Sequence, residues 1–356
     1  MSDHHDNVGH CGLDRREFLQ TAGFIGAGLV ISGASAQEKP VQLELTNTGA
    51  DKIPHKPFGR TKETVSVIGI GGYSLGSAPS LKEAVAIVQE SVDAGVNFFD
   101  NAWEYHDGKS EEWMGQALKG RRDKVFLMTK VCTHGRDKTV AMQMLEESLR
   151  RLKTDYLDVW QIHEVIYEND PDFIFGSNGA AEALLQAKKE GKVRLIGFTG
   201  HKKPEIHLRM LSHGFPFDTV QMPLNAFDAT FRSFEEQVLP EARKQGLAIF
   251  GMKSLGGSGE FVREGAITAA QALRYAMSLP VTTTISGMES MEVLKQNLAI
   301  AKGFSPLSGT EMAQIRNVCR PAAADGHLEL FKTTTKYDGD IGRQQHGYPL
   351  VEELPA

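Results

Sequence analysis

Cysteine is scarce: three residues in 356, at positions 11, 132 and 319. That number cannot staple a domain, and no Cys-x-x-Cys pair is present to seed a zinc ribbon or an iron–sulfur appendage. His201 and His207 lie six apart with no third ligand in register, so no metal centre is expected and both are assigned to the surface or a helix. No apolar run reaches the roughly 18 residues a membrane span needs, and the mean hydropathy is −0.28. An excess of positive charge is missing too. With 39 basic against 45 acidic residues the net charge is −6, which argues against a nucleic-acid partner, since such binders carry a net basic face. No stretch rich in Pro, Gly or Ser divides the body of the chain into two domains. What is there is 41% hydrophobic and 24% charged, the proportions of a folded chain and not of a disordered or collagen-like one.

The first 36 residues stand apart. Arg15-Arg16 precedes Phe18-Leu19, an uncharged, glycine-rich run extends from Thr21 to Ser32, and Ala34-Ser35-Ala36 has the small-x-small form that signal peptidases cut after. A positive segment, a short apolar core and a cleavage site make an export signal. The arginine pair with Phe-Leu resembles a twin-arginine (Tat) signal, although Asp14 and Gln20 depart from that pattern. Residues 1–36 are therefore expected to be a Tat-type signal peptide. The Tat machinery is then the export partner, the periplasm the destination, and the mature chain has no stable membrane span. Its net charge falls to −4. A retained amphipathic helix and an uncleaved signal are the alternatives. His4, His5, His10 and Cys11 fall in the segment expected to be removed.

From Thr64 onward short apolar runs alternate with helical patterns. The runs are Val65–Ile70, Asn97–Asn101, Val125–Lys130, Tyr156–His163, Val193–Thr199, Thr219–Asn225, Ala248–Ser254 and Thr282–Gly287. The stretches between them show helix-period apolar spacing, as in Met142, Leu145, Leu149 and Leu152. Gly95, Gly191, Gly214 and Gly246 sit just past helical patterns, where left-handed geometry suits glycine. Eight strand–helix pairs predict a single-domain (β/α)₈ TIM barrel over 64–305. Residues 37–63 are expected to form a linker and barrel cap, and 306–356 an extra helix and a C-terminal tail. An open doubly wound sheet is the alternative, but Gly69-Ile70-Gly71-Gly72 does not complete Gly-x-Gly-x-x-Gly.

In such a barrel the C-terminal ends of the strands meet at one mouth. The second run ends at Asp100-Asn101, with Tyr105 in the loop after it. The third ends at Lys130 and the fourth at His163. Each residue alone has an ordinary use as a cap, a loop aromatic, a solvated charge or a structural histidine. Three successive apolar strands that each deliver a polar group at the same end point instead to one pocket. His106 is an alternative proton donor, more simply read as a loop histidine.

These residues resemble the aldo-keto reductase family. The likeness runs through Phe99-Asp100-Asn101-Ala102-Trp103-Glu104-Tyr105, Gly108-Lys109-Ser110-Glu111, Lys130, Leu149-Arg150-Arg151-Leu152, Tyr156-Leu157-Asp158, His163, Arg194-Leu195-Ile196-Gly197 and Gln221, over residues 56–305. The resemblance implies reduction of a small-molecule aldehyde or ketone to an alcohol, and the reverse, by hydride transfer from a nicotinamide cofactor. Tyr105 would be the general acid. Lys130 would lower the phenol pKa from its usual value near ~10. Asp100 would hold Lys130 charged, and His163 would orient the carbonyl. A nicotinamide-binding redox sensor without turnover, and a barrel enzyme using Lys130 as a Schiff-base amine, are the rival classes.

The resemblance also places the cofactor. Gly71, Gly72 and Tyr73 would let backbone approach it, with Asp100 beside them. Thr199 and Gly200 stand where the family usually has Ser-Asn on the carboxamide, and Gln221 matches the other carboxamide contact. Met252 replaces a tyrosine that many members stack on the nicotinamide. Lys253, Leu255 and Gly257 belong to a loop suited to a pyrophosphate. Asn297 fits the adenine contact, but Gly287 and Val293 replace the basic residues that hold a 2′-phosphate in many members. NADP(H) is the family default and NAD(H) stays possible.

Overall fold

The body of the chain begins with a hairpin. β1 (His55–Pro57) pairs antiparallel with β2 (Thr64–Ser66), His55 opposite Ser66. Eight further strands follow: β3 (Ile68–Gly71), β4 (Phe98–Asp100), β5 (Phe126–Val131), β6 (Leu157–Ile162), β7 (Val193–Thr199), β8 (Thr219–Pro223), β9 (Ala248–Met252) and β10 (Thr283–Gly287). All neighbours are parallel and the sheet closes on itself, β10 returning to β3 through Thr284↔Ile68 to Gly287↔Gly71. This computed structural model describes residues 43–132, 137–345 and 347–353. The expected signal segment lies outside them.

Strands buried on both faces need no alternation of polar and apolar residues, and every residue of β6 is buried. Several of the barrel helices start at side-chain caps. Ser80, Asp137, Ser233, Thr268 and Ser290 each accept an amide of the first helical turn. Gly95, Gly191, Gly214 and Gly246 do take left-handed φ, between 66° and 98°. The main core lies between strands and helices. A smaller one fills the barrel at the strand N-termini: Phe58, Val65, Phe98, Met128, Val159, Ala248, Phe250 and Ile285.

That inner cluster shows what the hairpin does. Phe58 stacks on Phe126 with centroids 5.1 Å apart and lies against Phe98 and Phe250, so the hairpin plugs the end opposite the mouth. The apolar run Val65–Ile70 is thus two elements, not one strand. The Ser66 hydroxyl donates to the Ile68 carbonyl at 2.7 Å and the Val67 amide to Pro54, and the chain turns there from plug to barrel. Hydrophobicity runs unbroken through the bend because both sides of it are buried.

Past the barrel, helix Gly309–Ala323 opens with a Ser308/Glu311 capping box. The tail then forms short helices Leu330–Thr333 and Asp340–Gln345. It is anchored by Lys332, whose ammonium sits 2.6 Å from Asp228 and 3.0 Å from Glu329, all three side chains fully buried. No helix among the described residues is long and apolar enough to cross a membrane. Phe58→Ala is expected to lower the unfolding free energy by about 3–5 kcal/mol, measured by denaturant titration. A loss below about 1 kcal/mol would show that the plug is not part of the core.

Candidate active site

Asp100 ends β4, Lys130 is the penultimate residue of β5, and His163 follows β6 directly. Register brings the three strands level: Asp100 pairs with Met128, and Lys130 with Gln161. The loop after β4 is held against β5, with the Asn101 amide on the Met128 carbonyl and the Trp103 amide on that of Lys130. Helix Lys138–Leu152 clamps it from outside. Arg151 donates to the Trp103 carbonyl at 2.9 Å and to buried Glu111 at 3.2 Å, and Trp103 Nε1 donates to Glu147 at 2.8 Å. Trp103 is therefore a bracket for this loop.

The clamp delivers Tyr105 to the mouth. Its Oη lies 3.5 Å from Lys130 Nζ and 3.5 Å from His163 Nε2. The fully buried Lys130 ammonium donates to the Asp100 carboxylate, and to the Asn101 carbonyl at 2.7 Å. Tyr73, largely exposed, stands edge-on to Tyr105 at 5.4 Å. The four expected side chains thus form one connected group. His106 does not join it: its ring turns to the Tyr73 carbonyl, 2.8 Å away.

The electrostatics depart from the sequence-based expectation in one respect. Lys130 was expected to lower the Tyr105 pKa. In the resting site burial, followed by the charges of Asp100, Glu104 and Glu164, pushes that phenol well above its ordinary value. Burial also raises Asp100, against the pull of Lys130, and lowers His163 to about 3. At neutral pH the site holds an intact phenol and a neutral imidazole.

Two residues without an assigned role in the sequence complete it. Glu104 Oε1 lies against His163 Nδ1, while its Oε2 is buried without a partner. Glu164 accepts the amide of Gly339 in the tail at 2.8 Å. Donor atoms of Glu104, His163 and Glu164 all lie within 4.8 Å of one another. Glu104 directly precedes Tyr105, and Glu164 directly follows His163. Only adjacency to the expected site residues could have signalled them.

Thr199, the last residue of β7, is the register partner of Gln221 in the middle of β8. Thr199 Oγ1 and Gln221 Oε1 are both buried without a partner, the first a hydroxyl that can donate and the second an amide oxygen that accepts. Gln221 Nε2 meets Met252 Sδ at 3.5 Å. Asn297 is buried and donates to Ser286 and Gly287. The glycines carry steric demands of their own. A Cβ on Gly72 would lie 2.5 Å from the Asp100 carbonyl oxygen, one on Gly71 3.2 Å from that of Ser286, and one on Gly200 2.2 Å from that of Val165. A Cβ on Gly287 would meet Ser74 Oγ. Close packing against neighbouring chain therefore accounts for these glycines without a ligand.

The loop after β9 is tied to the tail. Tyr337 donates to Glu260 at 3.1 Å and meets Ser258 Oγ at 3.1 Å. A Cβ on Gly257 would strike the Tyr337 hydroxyl at 2.1 Å. Leu255 is half-buried, and Lys253, at φ +60°, holds its ammonium 4.7 Å from the Tyr337 ring centre. Among the remaining aromatics, Phe227 stacks on Phe261 at 3.8 Å and Phe331 is buried. His201 and His207 are both buried, not on the surface; His207 does lie in a helix, Pro204–Ser212, against Phe198 and Phe234. Cys132 and Cys319 are buried free thiols.

The aldo/keto reductase family model matches residues 67–266. The chain belongs to the aldo/keto reductase family. It is 31% identical over 193 residues to the aldo-keto reductase YhdN of Bacillus subtilis, covering 50% of this chain and 55% of that one. It is 28% identical over 274 residues to the methylglyoxal reductase YeaE of Escherichia coli, covering 71% and 90%. An aldo-keto reductase structure from Klebsiella pneumoniae, in complex with NADP and acetate, superposes with a TM-score of 0.60 at 27% identity, covering 76% and 97%. The chain spans about half the length of the first curated relatives it matches.

Lys130→Met leaves the buried Asp100 carboxylate without its cation and is expected to destabilise the fold by about 3–5 kcal/mol. Adding Asp100→Asn should recover most of that loss. Denaturant unfolding of the three forms checks this, and equal stabilities of the single and double variants would contradict it.

Proposed function

We propose that this aldo/keto reductase catalyses NAD(P)H-dependent reduction of aldehydes and ketones to alcohols, and the reverse. The observation that carries the reading is a phenol held between an ammonium and an imidazole, 3.5 Å from each.

When bound, the nicotinamide supplies the hydride that adds to the carbonyl carbon. The chain's own residues manage the oxygen. As the C=O π pair moves onto oxygen, negative charge grows there, and hydrogen-bond donors at that point lower the barrier. The Tyr105 O–H donates its proton to that oxygen, closing the alcohol. The tyrosinate left behind faces the Lys130 ammonium, which Asp100 and the Asn101 carbonyl keep in place. A phenol whose resting pKa is raised stays protonated until that oxygen becomes basic. His163 faces the same oxygen and aligns the carbonyl. Thr199 and Gln221 would hold the carboxamide. In the oxidative direction Tyr105 takes the alcohol proton back.

NADP(H) is proposed as the cofactor and NAD(H) as an accepted alternative. The Klebsiella relative with bound NADP supports the first. Gly287 and Val293, with Glu289 and Glu292 nearby, favour it less. Export as a folded protein through the Tat route to the periplasm is proposed from Arg15-Arg16 and Ala34-Ser35-Ala36, since a folded enzyme can carry its nucleotide with it.

Tyr105→Phe is expected to lower kcat by about 10²–10⁴-fold with nucleotide affinity unchanged, followed by NAD(P)H absorbance over a panel of aldehydes and ketones. Wild-type protein that binds nucleotide but turns over none of them would turn the reading toward a sensor. Protein recovered from the periplasm should begin at Gln37 and release NADP(H). Released NAD(H) would overturn the cofactor choice, empty protein would count against export with the nucleotide bound, and absence of the protein from the periplasm would overturn the export route.

A further inference from the structure

The chain of contacts through Tyr105 does not end at His163. It runs from Asp100 through Lys130 and Tyr105 to His163 Nε2, and leaves the ring at Nδ1 for Glu104. A carboxylate stands at each end. Asp100 serves the ammonium; Glu104 has no cation of its own, and one of its oxygens is buried without a partner.

We infer that Glu104 is a positioning residue that sets which nitrogen of His163 carries the proton, and thereby whether the imidazole meets Tyr105 and the substrate oxygen as donor or acceptor. The inference deepens the carbonyl-reductase reading and rests on it for its catalytic meaning. A neutral imidazole has one N–H to place on either nitrogen. With Glu104 ionised, Nδ1–H donates to the carboxylate and Nε2 is left as an acceptor for the Tyr105 hydroxyl. The ring then cannot donate to a substrate oxygen. With Glu104 protonated, its O–H donates to Nδ1, and Nε2–H becomes a donor toward the mouth. The two states differ by one proton. In passing from the second to the first, the Glu104 proton moves to Nδ1 and the Nε2 proton leaves on the mouth side, so charge and atoms balance across the ring. The donor form suits reduction, where oxygen gains charge. The acceptor form suits oxidation, where a proton must be removed.

Burial pushes the Glu104 carboxyl up to about 7, against the pull of Lys130, so both states are accessible near neutral pH. The groups that face this pair come from several elements. They are Asp100 at the end of β4, Lys130 and Cys132 at β5, Tyr105 in the β4 loop, Tyr73 after β3, Glu164 after β6 and Lys253 after β9. Cys132 stays a neutral thiol because burial raises it. Glu164, also raised to about 7, is the competing titrant, but its bond goes to the Gly339 amide and not to the ring.

The test is the tautomer of His163 in the full chain labelled with ¹⁵N-histidine, followed by NMR between pH 5 and 9 and assigned with His163→Asn. The proposal expects Nε2–H at low pH and Nδ1–H at high pH, crossing near neutrality. Glu104→Gln should abolish the crossing, Glu104→Asp should keep it with a shifted midpoint, and Glu164→Gln should leave it in place. One tautomer throughout in the wild type, a crossing that survives Glu104→Gln, or a crossing lost in Glu164→Gln would each overturn it. This readout needs no substrate, so a failure of carbonyl reduction leaves it standing and counts against the functional reading alone. In kinetics, reductive kcat/KM should fall about tenfold per pH unit above neutrality. That break should move up by at least one unit in Glu104→Gln; a purely structural role would lower the whole profile without moving it.

Discussion

Everything at the mouth depends on a buried ion pair. Lys130 and Asp100 come from adjacent strands, both out of water, with the ammonium also held by the Asn101 carbonyl. A buried charge without its counterion costs several kcal/mol, and this cost makes the pair a registration device. It fixes the end of β4 against β5 and directs the loop that carries Tyr105. The Arg151–Glu111–Trp103 bracket repeats the logic one layer out, since the same loop is tied to the helix behind it. A phenol within reach of both the Lys130 ammonium and a neutral imidazole follows from those two constraints.

The mouth is rich in carboxylates for a site meant to develop negative charge. Asp100, Glu104 and Glu164 all bear on Tyr105. Burial eases the conflict: it raises Glu104 and Glu164 to about 7, keeps the histidine neutral and keeps the phenol protonated until a basic oxygen arrives, while Asp100 stays paired with Lys130. The tail takes part in this enclosure, because Gly339 reaches Glu164 and Tyr337 pins the loop after β9. The same low-dielectric surroundings strengthen the hydrogen bonds made to a growing alkoxide.

The barrel was legible in the sequence because its signals are local and repeated: short apolar runs, helix-period spacing between them, glycines past the helix ends. Asp100, Tyr105, Lys130 and His163 were legible because each sits at or just past a strand end, so topology alone brings them together. The hairpin plug was hidden, since Val65–Ile70 is apolar on both sides of its bend. Glu104 and Glu164 were hidden because a carboxylate beside a known residue carries no periodic signal; its meaning lies in what it touches across the mouth. The direction of the Tyr105 shift was missed for a related reason. A sequence shows the cation but not the depth of burial, nor three acids arriving from separate segments. Steric need at Gly72 and Gly257 likewise arises from neighbours far along the chain.

The central claim is that a carbonyl oxygen is received between Tyr105 and His163 while the nicotinamide carboxamide rests on Thr199 and Gln221. A crystal structure with NADP and an unreactive carbonyl analogue tests it most directly. The account predicts that oxygen within hydrogen-bond distance of Tyr105 Oη and His163 Nε2, and the carboxamide on Thr199 Oγ1 and Gln221 Oε1. A nucleotide bound elsewhere, or an oxygen that contacts neither Tyr105 nor His163, would contradict it.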